Sequence, residues 1–402
     1  MLWARFWQGR TFWDSAIDFK VNGGCGSGQW HWYLLRYTGK VPVNHWPQAV
    51  IITINKHSLG GTMSLLSPSL ARVAALTAAL TLSGCSAVYK TTGWFAYDYA
   101  ESHAIPFTMR SDDPTLVCNQ SQALAETLLS FSDVTYEAHL PATTLYMMAG
   151  SCAEAEAHEH ALAYLRAFDS QQVAAAKDAR ILEKRGYALA AQRQYKAYQH
   201  MVAEFTEPGA ECPDLDRDEE IYWVLGILAG VQSVMSDLRA EGAVGVPKDI
   251  AMKSVRGMQC VDNQRWWGLP QAVQASVWVM LPDNAPVGTD PWQQLQQASA
   301  MASDAGVRMA HAIEVTIADS SGDQQRLKDA IRRHAQSLEQ TPAAPDYRLL
   351  DIMAHRQIVA VSDRMWTEAT GSRTPYDQLG TFWDDKPAAM PAFDIDDLLG
   401  GE

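Results

Sequence analysis

After Gln120 the chain repeats apolar residues at the three- and four-residue spacing of amphipathic helices. Pro141 fits the first turn of a helix, where its missing N–H has no partner to lose. The pattern predicts helices over Pro141–Cys152, Ala157–Phe168, Trp292–Ala302, Val307–Ile317, Leu327–Leu338 and Tyr347–Thr370. No segment alternates apolar and polar residues as a series of strands does, so we expect an all-α fold.

Helical hairpins recur about every 30 to 45 residues, which is the spacing of solenoid repeats. The fixed aromatic and small-residue register of tetratricopeptide repeats is missing. We therefore expect residues 120–370 to form an irregular helical bundle or an array of helical hairpins, with a solenoid-like stack as the alternative. This body is one domain or two closely packed halves.

One predicted helix, Ile221–Met235, is apolar nearly all round and should lie at the centre of the body. Gly226 and Gly230 are one turn apart and would let a second helix come close. Its apolar length of about 15 residues is shorter than the ~20 that span a bilayer. We therefore expect a buried helix rather than a membrane span.

A shorter apolar run, Val73–Gly84, precedes the body. Arg72 stands in front of it, and the small residues Ser83 and Gly84 end it. This three-part layout is typical of an export signal. Residues 63–84 are therefore predicted to be a signal peptide, and a buried helix that ends at a cysteine is the alternative.

The end of this run, Leu82-Ser83-Gly84-Cys85, resembles the lipobox of bacterial lipoproteins. In that family the cysteine thiol receives a diacylglycerol group, and the chain is cut just before the cysteine. The resemblance implies that Cys85 is lipidated and that acyl chains anchor the protein in the bacterial cell envelope. An aspartate after the cysteine retains enterobacterial lipoproteins in the inner membrane. Ser86 stands there instead, which implies the outer membrane, facing the periplasm.

An export signal acts at the start of a chain, so Met63 is the expected start. Residues 1–62 hold six of the fourteen tryptophans and show no sustained helical or strand period. We interpret them as a disordered upstream extension that is not native to the protein. The alternative is an aromatic-rich cytoplasmic domain ahead of an internal signal.

The chain is acidic, with a formal net charge of −14. Residues 1–84 contain seven Lys/Arg and two Asp/Glu, so the part from Cys85 onward carries −19. Sequence-independent nucleic-acid binding relies on Lys and Arg against phosphates, which excludes nucleic acid as an expected partner. An anionic membrane surface is likewise disfavoured, and attachment should depend on the lipid.

Four cysteines remain in the body if Cys85 is lipidated. An even number in an oxidising compartment suggests two disulfides, and four cysteines permit three connectivities. We favour Cys118–Cys152 and Cys212–Cys260, because each pair would join adjacent helical segments. Four buried thiols are the alternative. No C-x-x-C occurs, and we expect neither a metal site nor a cofactor.

The densest mixture of aromatic and hydrogen-bonding groups is the loop 262–270. A sugar or peptide chain needs a flat apolar face with donors at its edge, and paired indoles beside amide and guanidinium groups supply both. The candidate ligand-binding residues are Asp262, Asn263, Arg265, Trp266 and Trp267. A packed loop that anchors two helices is the alternative.

A basic island lies at residues 177–196 of this acidic chain. Lys177, Arg180, Lys184 and Arg193 could recognise an acidic partner, or a phosphate or carboxylate of an envelope glycan. The alternative is a helix face paired with neighbouring acidic helices.

Other clusters have simpler interpretations. His158 and His160 are two residues apart and point to different sides of a helix, so each is expected to form a solvated pair with a glutamate four residues earlier. Asp304, Arg308 and His311 are expected to form a surface stripe. No catalytic set or nucleotide-binding glycine loop is found.

Two functions remain open. The first is a non-catalytic adaptor or scaffold that holds a protein partner near the membrane. The second is an envelope enzyme or binding protein that acts on glycan or peptide at Trp266 and Trp267. Around the body we expect a tether over 85–119 and an acidic mobile tail over 371–402.

Overall fold

The computed structural model describes residues 87–209 and 211–386. Within these residues the regular structure is helical and no β-strand occurs, so the fold is all-α as predicted. Residues 1–62, the predicted signal peptide 63–84 and Cys85 lie outside the described residues. The described residues from 89 onward belong to a single unit by their internal contacts.

The first helices contribute to the core. They are α1 over residues 87–99, a π-helical turn at Ala100–Ala104, α2 at Ile105–Met109 and α3 at Pro114–Leu129. Tyr97 is 2% exposed, and its hydroxyl donates to the Leu128 carbonyl oxygen at 3.1 Å. Ile105 and Met109 are buried as well, whereas Trp94, Phe95, Tyr99 and Phe107 are 50–76% exposed. The expected tether therefore contributes some of its apolar side chains to the core and leaves others on the surface.

Two long helices, α4 (His139–Asp169) and α5 (Val173–Glu204), form an antiparallel hairpin. They approach closely, because a Cβ added to Gly150 would lie 2.6 Å from Gln194 Cγ. The pattern predicts two helices over the residues of α4, and the structure has one. The Ala- and Glu-rich residues 153–156 between the two predictions are good helix formers and contain no breaker.

The next helix, α6 (Glu220–Arg239), is central as predicted. A Cβ at Gly226 would overlap Met201, and one at Gly230 would overlap Tyr198, so both glycines allow α5 to pack against α6. Among the described residues this is the one helix long and apolar enough to cross a membrane. With 72% of its most apolar window buried, it is a core helix of this fold.

The remaining helices complete a closed bundle. They are α7 (Ile250–Gly257), α8 (Leu269–Met280), α9 (Pro291–Ala305), α10 (Met309–Ser321), α11 (Gln324–Gln340) and α12 (Arg348–Thr370). Helix α10 contacts α8, α9, α11 and α12, and α12 returns to contact α4. In an open stack, helices as distant in sequence as α4 and α12 would not touch each other. Their contact is therefore characteristic of a bundle.

Two disulfides join neighbouring helical segments. Cys118 of α3 is bonded to Cys152 of α4, with their Cα atoms 5.7 Å apart. Cys212 is bonded to Cys260 across the segment that contains α6 and α7, at 5.4 Å between Cα atoms. This is the connectivity that the sequence favours among the three.

The residues after α12 fold back onto α11. Phe382 is 4% exposed, and Lys328 and Arg332 pair with Asp384 and Asp385 at 2.7 and 2.6 Å. The mobile tail expected over 371–402 is therefore held against the body up to residue 386. Residues 387–402 lie outside the described residues.

A buried ion pair connects three helices in the second half of the bundle. Arg308 is fully buried, and its Nη1 donates to Asp351 Oδ2 at 2.8 Å. Its Nε donates to the Ser337 hydroxyl at 2.7 Å, and its Nη2 bonds the carbonyl oxygens of Ser337 and Thr341. The start of α10 is thereby tied to the end of α11 and the first turn of α12.

We expect Asp351→Ala to lower the free energy of unfolding by about 3–5 kcal/mol, because it leaves the Arg308 charge buried and unpaired. Urea denaturation of the disulfide-intact protein measures this loss. Glu241→Ala is the control, since it removes an exposed partner of Lys184 and should change stability little. Equal losses in the two variants would contradict the importance of the buried pair.

Candidate functional site

A cavity of about 680 Å³ opens between α3, α4 and α12. We term it the α4–α12 groove. Its lining includes Val117, Gln122, Met148, Ala155, Val359 and Ala360. The volume falls in the range of about 300–1,000 Å³ that is usual for ligand-binding clefts.

Methionines contribute to the lining of the groove, and three of the four are 5% exposed or less. They come from three helices and are Met147, Met148, Met309 and Met353. The unbranched thioether side chain adapts its shape to what it contacts, and such residues are common on surfaces that accept variable partners. The Cys118–Cys152 disulfide lines the same groove and fixes α3 against α4 there.

The polar lining of the groove is mainly acidic. It contains the carboxylates Glu154, Glu156, Glu159 and Asp363 and the guanidinium groups Arg356 and Arg373. Arg373 hydrogen-bonds both carboxylate oxygens of Glu159 and lies 3.4 Å from Asp363, so it neutralises part of this charge. The bond to Arg373 lowers the pKa of Glu159 and keeps that carboxylate ionised.

A half-buried polar cluster lies at one side of the groove. Arg239 of α6 lies 3.6 Å from Glu154 Oε1 and 3.2 Å from His158 Nε2, and it donates to the Tyr187 hydroxyl at 3.1 Å. Burial, followed by the Arg239 charge, lowers the pKa of His158 to about 3. The solvated Glu–His pair expected here is wrong, because α6 places Arg239 against it.

Three histidines lead from the groove into the core. His355 lines the groove, and its Nδ1 lies 3.1 Å from Nε2 of His334. The His334 ring packs on His311 with centroids 5.4 Å apart, and His311 Nε2 lies 2.8 Å from the Ser303 hydroxyl. Burial lowers the pKa of His311 to about 4 and that of His334 to about 2.

The surface stripe expected for Asp304, Arg308 and His311 is wrong. Helix α9 ends at Ala305, so these residues do not share one helix. Gly306 then adopts φ +68°, and a Cβ there would overlap the Pro342 carbonyl oxygen. The chain turns inward at this point and buries both the guanidinium and the imidazole.

The two tryptophans of the loop 262–270 are part of the core. Trp266 is 3% and Trp267 is 9% exposed. The indole N–H of Trp266 donates to Glu220 Oε2 at 2.7 Å, and the Trp267 ring lies 4.5 Å from that of Tyr347. Neither indole lines the groove, and the arrangement is that of a loop anchoring α8 against α6 and α12.

The polar candidates of the same loop bind protein atoms. Arg265 pairs with Glu220 at 3.0 Å, and Asp262 accepts the Arg265 backbone N–H at 2.6 Å. Asn263 accepts the backbone N–H of Gln271 at 3.0 Å and donates to its side chain at 2.9 Å. These bonds stabilise the loop and the start of α8.

The basic island lies on α5, where most of its charges have partners. Arg180 and Lys184 are each paired with a glutamate at 2.6 Å. Arg193 donates to a backbone carbonyl of α4 at 2.9 Å, and Lys177 is exposed. The contacts are those of a paired helix face.

One further group lies apart from the groove. Glu137, His139 and His200 bring their potential ligand atoms within 4.8 Å of one another. The sequence predicts no metal site. Metal ligands are recognised in a sequence by short spacings, whereas His139 and His200 are 61 residues apart. The groove was missed for the same reason, since its walls come from residues between Pro114 and Arg373.

Comparisons with known proteins add no relative. A scan of protein-family models finds no matching model, and searches of curated proteins and of solved structures find no match.

We expect the free energy of unfolding to fall as the pH is lowered below about 6.5, because unfolded histidine binds a proton there while buried His311 and His334 stay neutral down to about 4 and about 2. Each contributes about 1.4 kcal/mol per pH unit over its window. Urea denaturation of His334→Gln should show a shallower decline than the wild type between pH 6.5 and 4.5. Parallel curves would contradict this origin of the acid sensitivity.

Proposed function

We propose that this protein is a lipid-anchored adaptor of the bacterial cell envelope that holds a segment of a partner protein in the α4–α12 groove. The observation that carries the proposal is the groove itself, which has the volume of a binding site and a lining of both apolar and charged side chains. The anchor is the lipid proposed at Cys85. We place the body on the periplasmic side of the outer membrane.

The chemistry of the groove favours a particular kind of segment. Its apolar lining, which includes Met353 and Val359, offers apolar contacts. Its carboxylates have internal partners, since Glu154 lies against Arg239 and both Glu159 and Asp363 lie against Arg373, while Glu156 is exposed. The net charge of −19 beyond residue 84 has the same sign and would steer a basic partner toward the protein. The proposed ligand is therefore an apolar peptide segment that carries positive charge.

The alternative, an enzyme or binding protein for glycan or peptide at Trp266 and Trp267, has weaker support. A stacking platform must present its ring faces, and both rings are buried against protein atoms. The Trp266 N–H already donates to Glu220. The loop would have to open to accept a ligand.

A photo-crosslinking residue at Ala155, in the groove, should capture an envelope protein in living cells, whereas the same residue at exposed Ala175 on α5 should not. Mass spectrometry then identifies the crosslinked segment. Ala155→Trp should weaken binding of that segment by about 10-fold or more by filling the groove, and Ala175→Trp should not.

The adaptor proposal fails under two outcomes. One is equal crosslinking from both positions, which would show no preference for the groove. The other is the absence of any captured partner together with turnover of a cell-wall fragment by the purified protein, which would favour the enzyme.

We expect Cys85→Ala to abolish retention of the protein in the membrane fraction, because the thiol that would carry the acyl chains is lost. Ser83→Ala is the matched control, since it keeps a small residue before the cysteine and should leave retention unchanged. Cell fractionation with immunoblotting gives the result. If the Cys85→Ala protein still sediments with membranes, Cys85 does not carry the anchor.

A further inference from the structure

The two ends of the α4–α5 hairpin bring a pair of histidines together. His139 is the first residue of α4, and His200 lies in the last turns of α5. Their Nδ1 atoms are 3.1 Å apart. Glu137, in the residues that lead into α4, places its Oε2 3.6 Å from the His139 Nδ1.

We propose that Glu137, His139 and His200 bind a divalent transition-metal ion of the zinc type. The juxtaposition of two imidazole nitrogens and one carboxylate oxygen is a donor set that such ions take up in proteins. Calcium and magnesium are disfavoured, because both prefer a shell made of oxygen atoms. The site is distinct from the groove and does not depend on the proposed function.

The separation of the nitrogens suits one shared ion. With zinc–nitrogen bonds of about 2.0–2.1 Å, two nitrogens at the observed distance subtend an angle of about 100° at the metal. This angle lies between those of octahedral and tetrahedral coordination. A hydrogen bond between the imidazoles, with an ion pair between Glu137 and His139, would also account for these distances, whereas a single ion uses all three groups together.

The fold holds the His200 ring in this orientation. The His200 ring stacks on Tyr146 with centroids 5.6 Å apart and an interplanar angle of 8°. The Tyr146 hydroxyl is in turn fixed by a 2.5 Å hydrogen bond to Glu126 Oε1. A donor held in place before binding loses little conformational freedom when the ion arrives.

The exposure of the group decides what kind of site it makes. The side chain of His139 is 21% exposed and that of Glu137 is 54% exposed, so an ion can enter from solvent. Three protein ligands leave at least one coordination position for water or for a donor from another molecule. The site therefore differs from closed structural zinc sites, in which four protein ligands surround the metal.

Titration calorimetry of the untagged, chelator-treated full chain with Zn²⁺ tests the proposal. The wild type should bind about one ion per chain, and His200→Gln should lose this binding. Glu137→Gln should weaken it by about 10-fold or more, and because Glu137 is exposed this variant should fold normally. His160→Gln is the control, since His160 lies about 30 Å farther along α4.

A spectroscopic readout separates coordination from general surface binding. Co²⁺ bound to the wild type should give visible absorption bands typical of nitrogen and oxygen ligands, and the bands should be retained in His160→Gln but lost in His200→Gln. The proposal is overturned if the wild type binds no stoichiometric ion. It is equally overturned if Glu137→Gln and His160→Gln both bind as the wild type does, or if both weaken binding to the same extent.

Discussion

Close packing between α4 and α5 is the constraint on which the rest of the bundle depends. A Cβ at Gly186 would lie 2.9 Å from the Ala157 Cβ, and one at Gly150 would meet Gln194 at 2.6 Å, so the two backbones approach where side chains are absent. Once α5 covers one face of α4, a second face remains for α3 and α12. The groove forms along that second face. A larger residue at either glycine would separate the hairpin and alter both faces together.

The opposite wall of the groove depends on a buried charge. Arg308 has no exposed surface, and the cost of removing its guanidinium from water is offset because Asp351, Ser337 and Thr341 satisfy its donors. Those partners lie on α12 and at the end of α11, so satisfying the charge also fixes where α12 begins. An apolar residue could fill the same volume, but it would not select these partners among other polar groups. The ion pair between Arg308 and Asp351 therefore fixes the position of α12 as well as stabilising the fold.

Much of this fold can be predicted from local patterns in the sequence. Apolar spacing predicts α12 to within one residue of Arg348–Thr370, and the cysteine spacing favours the two disulfides that the structure contains. The errors occur where a tertiary contact changes the meaning of a local pattern. Arg308 and His311 resemble a surface stripe until the chain turns at Gly306. The paired indoles at 266 and 267 resemble an exposed platform until Glu220 and Tyr347 cover them.

The register of the α4–α5 hairpin explains why His139 and His200 are not recognised as a pair from local sequence spacing. Ala157 meets Gly186, Gly150 meets Gln194 and His139 meets His200, so residue numbers fall along α4 as they rise along α5. A search for metal ligands by short spacing examines one helix face at a time and cannot detect a pair joined this way. With the helix bounds and one cross-contact known, the same register pairs the start of α4 with the end of α5. The pairing of His139 with His200 can therefore be predicted from the sequence, but only after the bounds of both helices are known.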